Sequence, residues 1–144
     1  MDNEWREVIG EWAGEHAFIA RNATGGSVQM GALGDKVGLS PMELLLAGVA
    51  GCTGVDVVDI LTKKRQPIEA LQVKVRGKRV DTYPRIYKEI EVLYLVWGNG
   101  IDPEALEQAI KLSEEKYCSA SAMMRGVATI RSSYRILAAG EIFE

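Results

Sequence analysis

The stretch from Leu44 to Leu61, LLLAGVAGCTGVDVVDIL, constrains this chain more than any other. It is apolar or small throughout except at Thr53, Asp56 and Asp59, and start and stop signals of a helix frame it. Ser40-Pro41-Met42-Glu43 supplies an N-cap serine, a proline at the first helical position and a glutamate three residues after the cap. Beyond it, Lys63-Lys64-Arg65 favours a helix C-terminus and Pro67 ends the pattern. The spacing therefore predicts one helix from Pro41 to about Lys64. Its length reaches the ~17 residues of the shortest membrane span. Two carboxylates near one end, three glycines and no flanking aromatic belt predict instead a buried core helix, with no membrane as partner.

The rest of the chain reads as short strands and two further helical regions. Residues 4 to 31 break into WREVIGEW, HAFIARN and SVQMG, separated by Gly10, Gly14 and the turn signal Asn22 to Gly26, which predicts an antiparallel meander. The segment ALGDKVGL reads as a loop. From Ala70 to Val80 the pattern alternates, Leu71, Val73 and Val75 against Gln72, Lys74 and Arg76, as in a half-buried strand. After DTYPR a second strand covers 86 to 97, so the pair reads as a hairpin. Asp102-Pro103 repeats the cap-then-proline signature and opens a helix with Leu106, Ala109, Ile110 and Ser113 on one side, ending near Tyr117. One or two helical turns over Cys118 to Met124 and a last strand from Val127 complete an α+β order.

With 144 residues, 47% of them hydrophobic, the chain is expected to form a single domain over 1–144 with a sizeable core. Its 17 basic and 20 acidic residues are interspersed, leaving no block that could track a phosphate backbone, so nucleic acid is not an expected partner. The opening MDNEWREVIGEW carries charges and no apolar run, unlike a secretory signal, and a cytoplasmic location is expected. In that reducing compartment two cysteines are either buried fillers or redox-active thiols.

At roughly 100° per residue, Pro41, Leu45, Gly48, Cys52, Val55, Asp56 and Asp59 fall in one sector of the predicted helix. Gly48, Gly51 and Gly54 would let a neighbour approach closely there, in a monomer or at the centre of a dimer. A reactive cysteine needs more, because only the thiolate attacks and a free thiol ionises at about 8.5. Cys52 lies too far from the helix start for the dipole to help, and Asp56 opposes its ionisation. A cation from Arg21, Arg85, Arg125 or Arg131 is required, and the residues do not rank them. Cys118, at the start of a short helix, is expected on local grounds to be the more acidic.

Ser40 to Cys52, SPMELLLAGVAGC, resembles the motif of the OsmC/Ohr family that starts at a helix proline and ends on the peroxidatic cysteine. Cys118-Ser119-Ala120-Ser121, with Arg125-Gly126 following, is similar to the family's resolving-cysteine segment, although relatives often carry proline in place of Ser119. The order of elements agrees from end to end. The resemblance implies an OsmC-like fold, with antiparallel sheets around a central buried helix carrying the first cysteine, and an intertwined homodimer with active sites at the subunit interface. It also implies a chemistry: Cys52 attacks an organic hydroperoxide and releases an alcohol, its sulfenic acid condenses with Cys118, and an external dithiol, in Ohr proteins a lipoylated protein, reduces the disulfide. No cofactor or metal is implied.

One departure bears on activation. The family places a glutamate directly after the motif proline, paired with an arginine from the N-terminal strands; here Met42 stands there. Glu43 is next door, but its angle is nearly opposite that of Cys52 and its spacing from Ser40 suits a capping box. Arg21 lies in the expected N-terminal region, as does His16. The closest pattern is that of a less characterised branch, for which activity is an inference. Two alternatives accompany the peroxidase reading: a binding protein for a small apolar ligand, suggested by Met42, Met123 and Met124, and a metal site from Cys52, Cys118 and His16, which lacks any recognised ligand spacing.

Overall fold

The computed structural model describes residues 5–143; Glu4, the first residue of the predicted meander, lies outside them. Two compact units divide between Leu45 and Leu46. In the first, β1 (Val8–Gly14), β2 (Ala17–Asn22) and β3 (Ser27–Met30) form the antiparallel meander read from the turn signals. Asn22 closes the β2–β3 turn, its side-chain oxygen accepting from the N–H groups of Thr24 and Gly26 at 3.1 and 2.8 Å. The segment expected to be a plain loop contains a small hairpin, β4 (Ala32–Leu33) with β5 (Lys36–Val37). Two-residue strands are too short to show a period.

Helix α1 (Pro41–Lys63) has the predicted bounds to within one residue. Its start is a capping box: Ser40 Oγ accepts from the Glu43 N–H at 3.1 Å, and the Glu43 carboxylate accepts from the Ser40 N–H at 2.9 Å. By length and composition α1 could cross a membrane. Its fully buried residues form a single stripe, Val49, Thr53, Val57 and Leu61, spaced by one helical turn. In this single chain the predicted buried core helix is buried along that stripe alone: Gly48, Gly51, Val55, Val58 and Asp59 stand open, Val55 with 61% of its surface exposed. A sheet on one side can cover only one stripe of a cylinder.

That sheet has the order β6-β7-β8, built from β6 (Ala70–Arg79), β7 (Tyr87–Trp97) and β8 (Thr129–Leu137). β6 and β7 form the predicted antiparallel hairpin, whereas β8 runs parallel to β7, so the antiparallel expectation fails for this pair. A helical crossover between β7 and β8 makes parallel pairing possible. The inner face carries Val73, Val75, Ile90, Val92, Tyr94, Ser132 and Tyr134, and α1 lies against it: a side chain added at Gly54 would meet Val73 Cγ2 at 3.5 Å. Gly77 is required on the same face, since a Cβ there would come within 2.6 Å of the Tyr87 ring.

Helix α2 (Pro103–Leu112) starts where Asp102-Pro103 predicts, with the Asp102 carboxylate accepting from the Glu104 N–H at 3.0 Å. The chain then widens into a π turn, Ser113–Tyr117, instead of continuing as α-helix to Tyr117. A short helix, α3 (Ser119–Arg125), follows at once, with Cys118 as its N-cap.

Candidate functional site

The crossover from α2 to α3 brings Cys118 against Cys52. The Cys118 N–H bonds the Ser113 carbonyl at 2.6 Å, the i to i+5 closure of a π turn, and this turn sets the cysteine at the mouth of α3. Ser113 is itself tied to α1, because its hydroxyl donates to Asp56 Oδ2 at 2.9 Å, one helical turn beyond Cys52. Cys52 is one of the neighbours that act on the Cys118 thiol. Cys118 is buried, with 3% exposure, while Cys52 is half-buried, and neither is in a disulfide.

As read from the sequence, Cys118 occupies a helix N-terminus: its Sγ accepts the Ser121 N–H at 3.3 Å. The expected acidity does not follow. Burial pushes the Cys118 thiol up, and the neighbouring Cys52 pushes the same way; bonds from Ser121 oppose them without prevailing. A seven-residue helix offers few aligned dipoles, and the loss of water outweighs them.

Behind the pair lies a polar chain that sequence reasoning missed. Tyr94, on the inner face of β7 and fully buried, donates its hydroxyl to the carboxylate of Glu114 on the π turn. Ser132 on β8 donates to the same oxygen at 2.7 Å. Thr53, the residue after Cys52, is in hydrogen-bond reach of the Tyr94 hydroxyl. Burial first, then the bond and charge of Glu114, drive the phenol well above its ordinary range, and the charge of Cys118 acts in the same sense. The available signal was Tyr94 itself: a phenol on the apolar face of a strand needs a polar partner inside the fold.

The remaining candidates have surroundings of their own. Glu43 is engaged in the α1 capping box. Arg21 is solvent-exposed on β2 and pairs with Glu11 at 3.0 Å. His16 is exposed next to β2. Arg125 is exposed in the last turn of α3, the end opposite Cys118. Arg131 follows Ile130 and precedes Ser132 on β8, so strand alternation turns it to the outer face, where it pairs with Glu89 at 2.5 Å. Arg85 stacks on the Tyr83 ring at 5.7 Å. Among the described residues, no three His, Cys, Asp or Glu side chains gather in a group that could hold a metal ion.

Residues 34–133 match the family model described as OsmC-like protein. The chain is 36% identical over 130 residues to protein YhfA of Escherichia coli K12, covering 90% of this chain and 96% of YhfA. A hypothetical protein from Aquifex aeolicus VF5 has a similar crystal structure, at 40% identity and a TM-score of 0.84, over 94% of this chain and 98% of that one. The organic hydroperoxide resistance protein OhrB of Bacillus subtilis is similar at 18% identity and a TM-score of 0.62, over 91% of this chain and 98% of that one, a likeness of fold alone.

Proposed function

Because the chain belongs to the OsmC-like protein family, we propose that it is a cysteine-based peroxidase that reduces organic hydroperoxides to alcohols. The observation that carries this reading is the contact between Cys52 on α1 and Cys118 at the head of α3. A structural relative that shares the fold is named for organic hydroperoxide resistance, which points the same way.

In this reading the Cys52 thiolate attacks the outer peroxide oxygen. An S–O bond forms, the O–O bond breaks, and the alcohol leaves with a proton. Cys52 is then a sulfenic acid. Cys118 attacks its sulfur, the S–S bond forms, and the hydroxyl departs as water with the Cys118 proton. An external dithiol, such as a lipoyl group on a partner protein, reduces the disulfide by exchange. The half-buried Cys52 meets substrate and the buried Cys118 resolves. We assign the activity to a single-domain protein in the cytoplasm, working as a homodimer that covers the open sector of α1. A mainly apolar groove that runs between α1 and β6, from Ala50 to Val58 and past Leu71 and Val73, with Asp59 in its lining, supports that pairing.

The test is to mix reduced protein with cumene hydroperoxide. Peroxide should disappear and the protein should lose the mass of about two hydrogens as the Cys52–Cys118 disulfide forms. The Cys52→Ser variant should do neither. Equal consumption by that variant would remove Cys52 from its role. The same apolar groove favours a second reading, a binding protein for a small apolar ligand without turnover, and a co-purified ligand with no disulfide after peroxide would select it.

A further inference from the structure

Ser113 holds the crossover that delivers Cys118 with both its side chain and its carbonyl. A buried hydroxyl in a helix commonly satisfies itself on its own helix, and Thr53 does so, donating to the Val49 carbonyl one turn back at 2.9 Å. Ser113 is equally buried and closes α2, where the same kind of carbonyl is at hand, yet its hydroxyl leaves its own helix for Asp56 Oδ2 at 2.9 Å. Burial alone does not explain that choice. The Ser113 carbonyl is committed as well, to the Cys118 N–H at 2.6 Å. One residue thus grips α1 with its side chain and the second cysteine with its backbone.

The place of the grip on α1 matters. Asp56 is four residues after Cys52, the spacing at which helical side chains are neighbours on one face. Lys64 also joins this region to α2, by donating to Gln108, but that bond is exposed and lies past the end of α1, away from Cys52. Glu114, next to Ser113, ties the same π turn to the sheet through Tyr94 and Ser132. The turn is therefore fixed on two sides, and its tie to α1 falls within one helical turn of the first cysteine. A disulfide tolerates Cα separations of only about 4.4–6.8 Å, so a slide of the crossover by even one helical residue, about 1.5 Å, is felt.

We infer that Ser113 and Asp56 are positioning residues, whose hydrogen bond sets the crossover against α1 so that Cys118 can close a disulfide with Cys52. In the resolving step the Cys118 sulfur bonds the Cys52 sulfenic sulfur, and the hydroxyl leaves as water with the Cys118 proton. The Ser113–Asp56 bond takes no part in that exchange of atoms. It raises the effective concentration of one cysteine at the other by holding their carriers in register. The inference deepens the peroxidase reading and rests on it for its catalytic meaning; its test uses no peroxide, so the two fail separately.

The measurement is the effective concentration of the thiol pair, taken from the equilibrium of the full chain with glutathione: the protein's two thiols join as oxidised glutathione is cleaved to two reduced molecules. Ser113→Ala removes the hydroxyl and keeps the backbone bond to Cys118, and the effective concentration should fall several-fold. Asp56→Asn, which removes the charge but keeps an acceptor oxygen for Ser113, should retain most of the parent value. A bond that only stabilised the fold would lower the urea midpoint of Ser113→Ala and leave its glutathione equilibrium in place, and that result overturns the inference. An equal fall in Asp56→Asn, which would make charge the cause, overturns it too. So does a parent protein that forms mixed disulfides with glutathione and no Cys52–Cys118 bond. If Ser113→Ala does not fold, Asp56→Ala removes the same bond from the other side and is read in the same way.

Discussion

On the outer face of the β6-β7-β8 sheet, Arg76 and Arg131 meet Glu91 and Glu89 in water; on the inner face, Glu114 receives the hydroxyls of Tyr94 and Ser132 beneath the helices. The same kind of side chain has two different consequences. Outside, each ion pair replaces bonds that water would have made, so little is gained and salt screens it. Inside, the Tyr94 hydroxyl is fully buried and without its acceptor has no water to turn to, so losing that bond costs the fold, whereas Ser132 reaches Glu114 from an exposed position. Chemistry that depends on a defined protonation state therefore belongs on the inner face, where the two cysteines are.

Four experiments can break that contrast. The largest effect is expected from Ile90→Ala, since Ile90 is fully buried on the inner face: a loss of about 2–5 kcal/mol in urea denaturation. A loss under half a methylene's worth would mean that the inner face is not tightly packed. Next comes Tyr94→Phe, which takes one donor from Glu114 and leaves the ring in place. Denaturation should show a loss of about 1–3 kcal/mol, and an unchanged midpoint would show that the polar chain contributes nothing.

The third concerns alkaline pH. The ionisations of Tyr94 and Cys118 are both raised in the folded state, so the stability they contribute is present in full below their ordinary values. It is lost as pH climbs through and above those values. Stability should therefore fall steeply in the alkaline range, and the fall should be shallower in Tyr94→Phe; identical slopes would contradict a buried, coupled phenol. Glu89 has the opposite sign, because its bond to Arg131 holds its carboxyl below the usual range. Its share is present above the ordinary glutamate value and fades as pH drops through the lowered one. The smallest effect belongs to Arg76→Ala on the outer face, less than about 1 kcal/mol and shrinking with added salt. A larger, salt-insensitive loss would erase the distinction between the faces.

The framework was legible where local chemistry decides it. Ser40-Pro41 and Asp102-Pro103 mark α1 and α2 because caps and prolines act within one turn, and the alternation of Leu71, Val73 and Val75 marks β6. The capping role of Glu43 was legible for the same reason. What was hidden depends on distant partners. The parallel register of β8 is set by a crossover, not by its own residues. The π turn at Ser113–Tyr117 continues a helical pattern while changing its pitch, and it is pinned by Asp56 from another helix. Of the site, both cysteines and the cap position of Cys118 could be read. The balance between dipole and burial at that sulfur could not, because burial is a property of the folded chain.

Helix α3 begins on a sulfur: the N–H of Ser121 is satisfied by Cys118 Sγ, where most helices would use an oxygen. An oxygen cap is chemically inert, whereas in the proposed disulfide this one would exchange its proton for a bond to another sulfur and so change its lone pairs and its reach. The first turn of α3 would then be coupled to electron flow, and the solvent exchange of the Ser121 amide would become a gauge of that proposed chemistry.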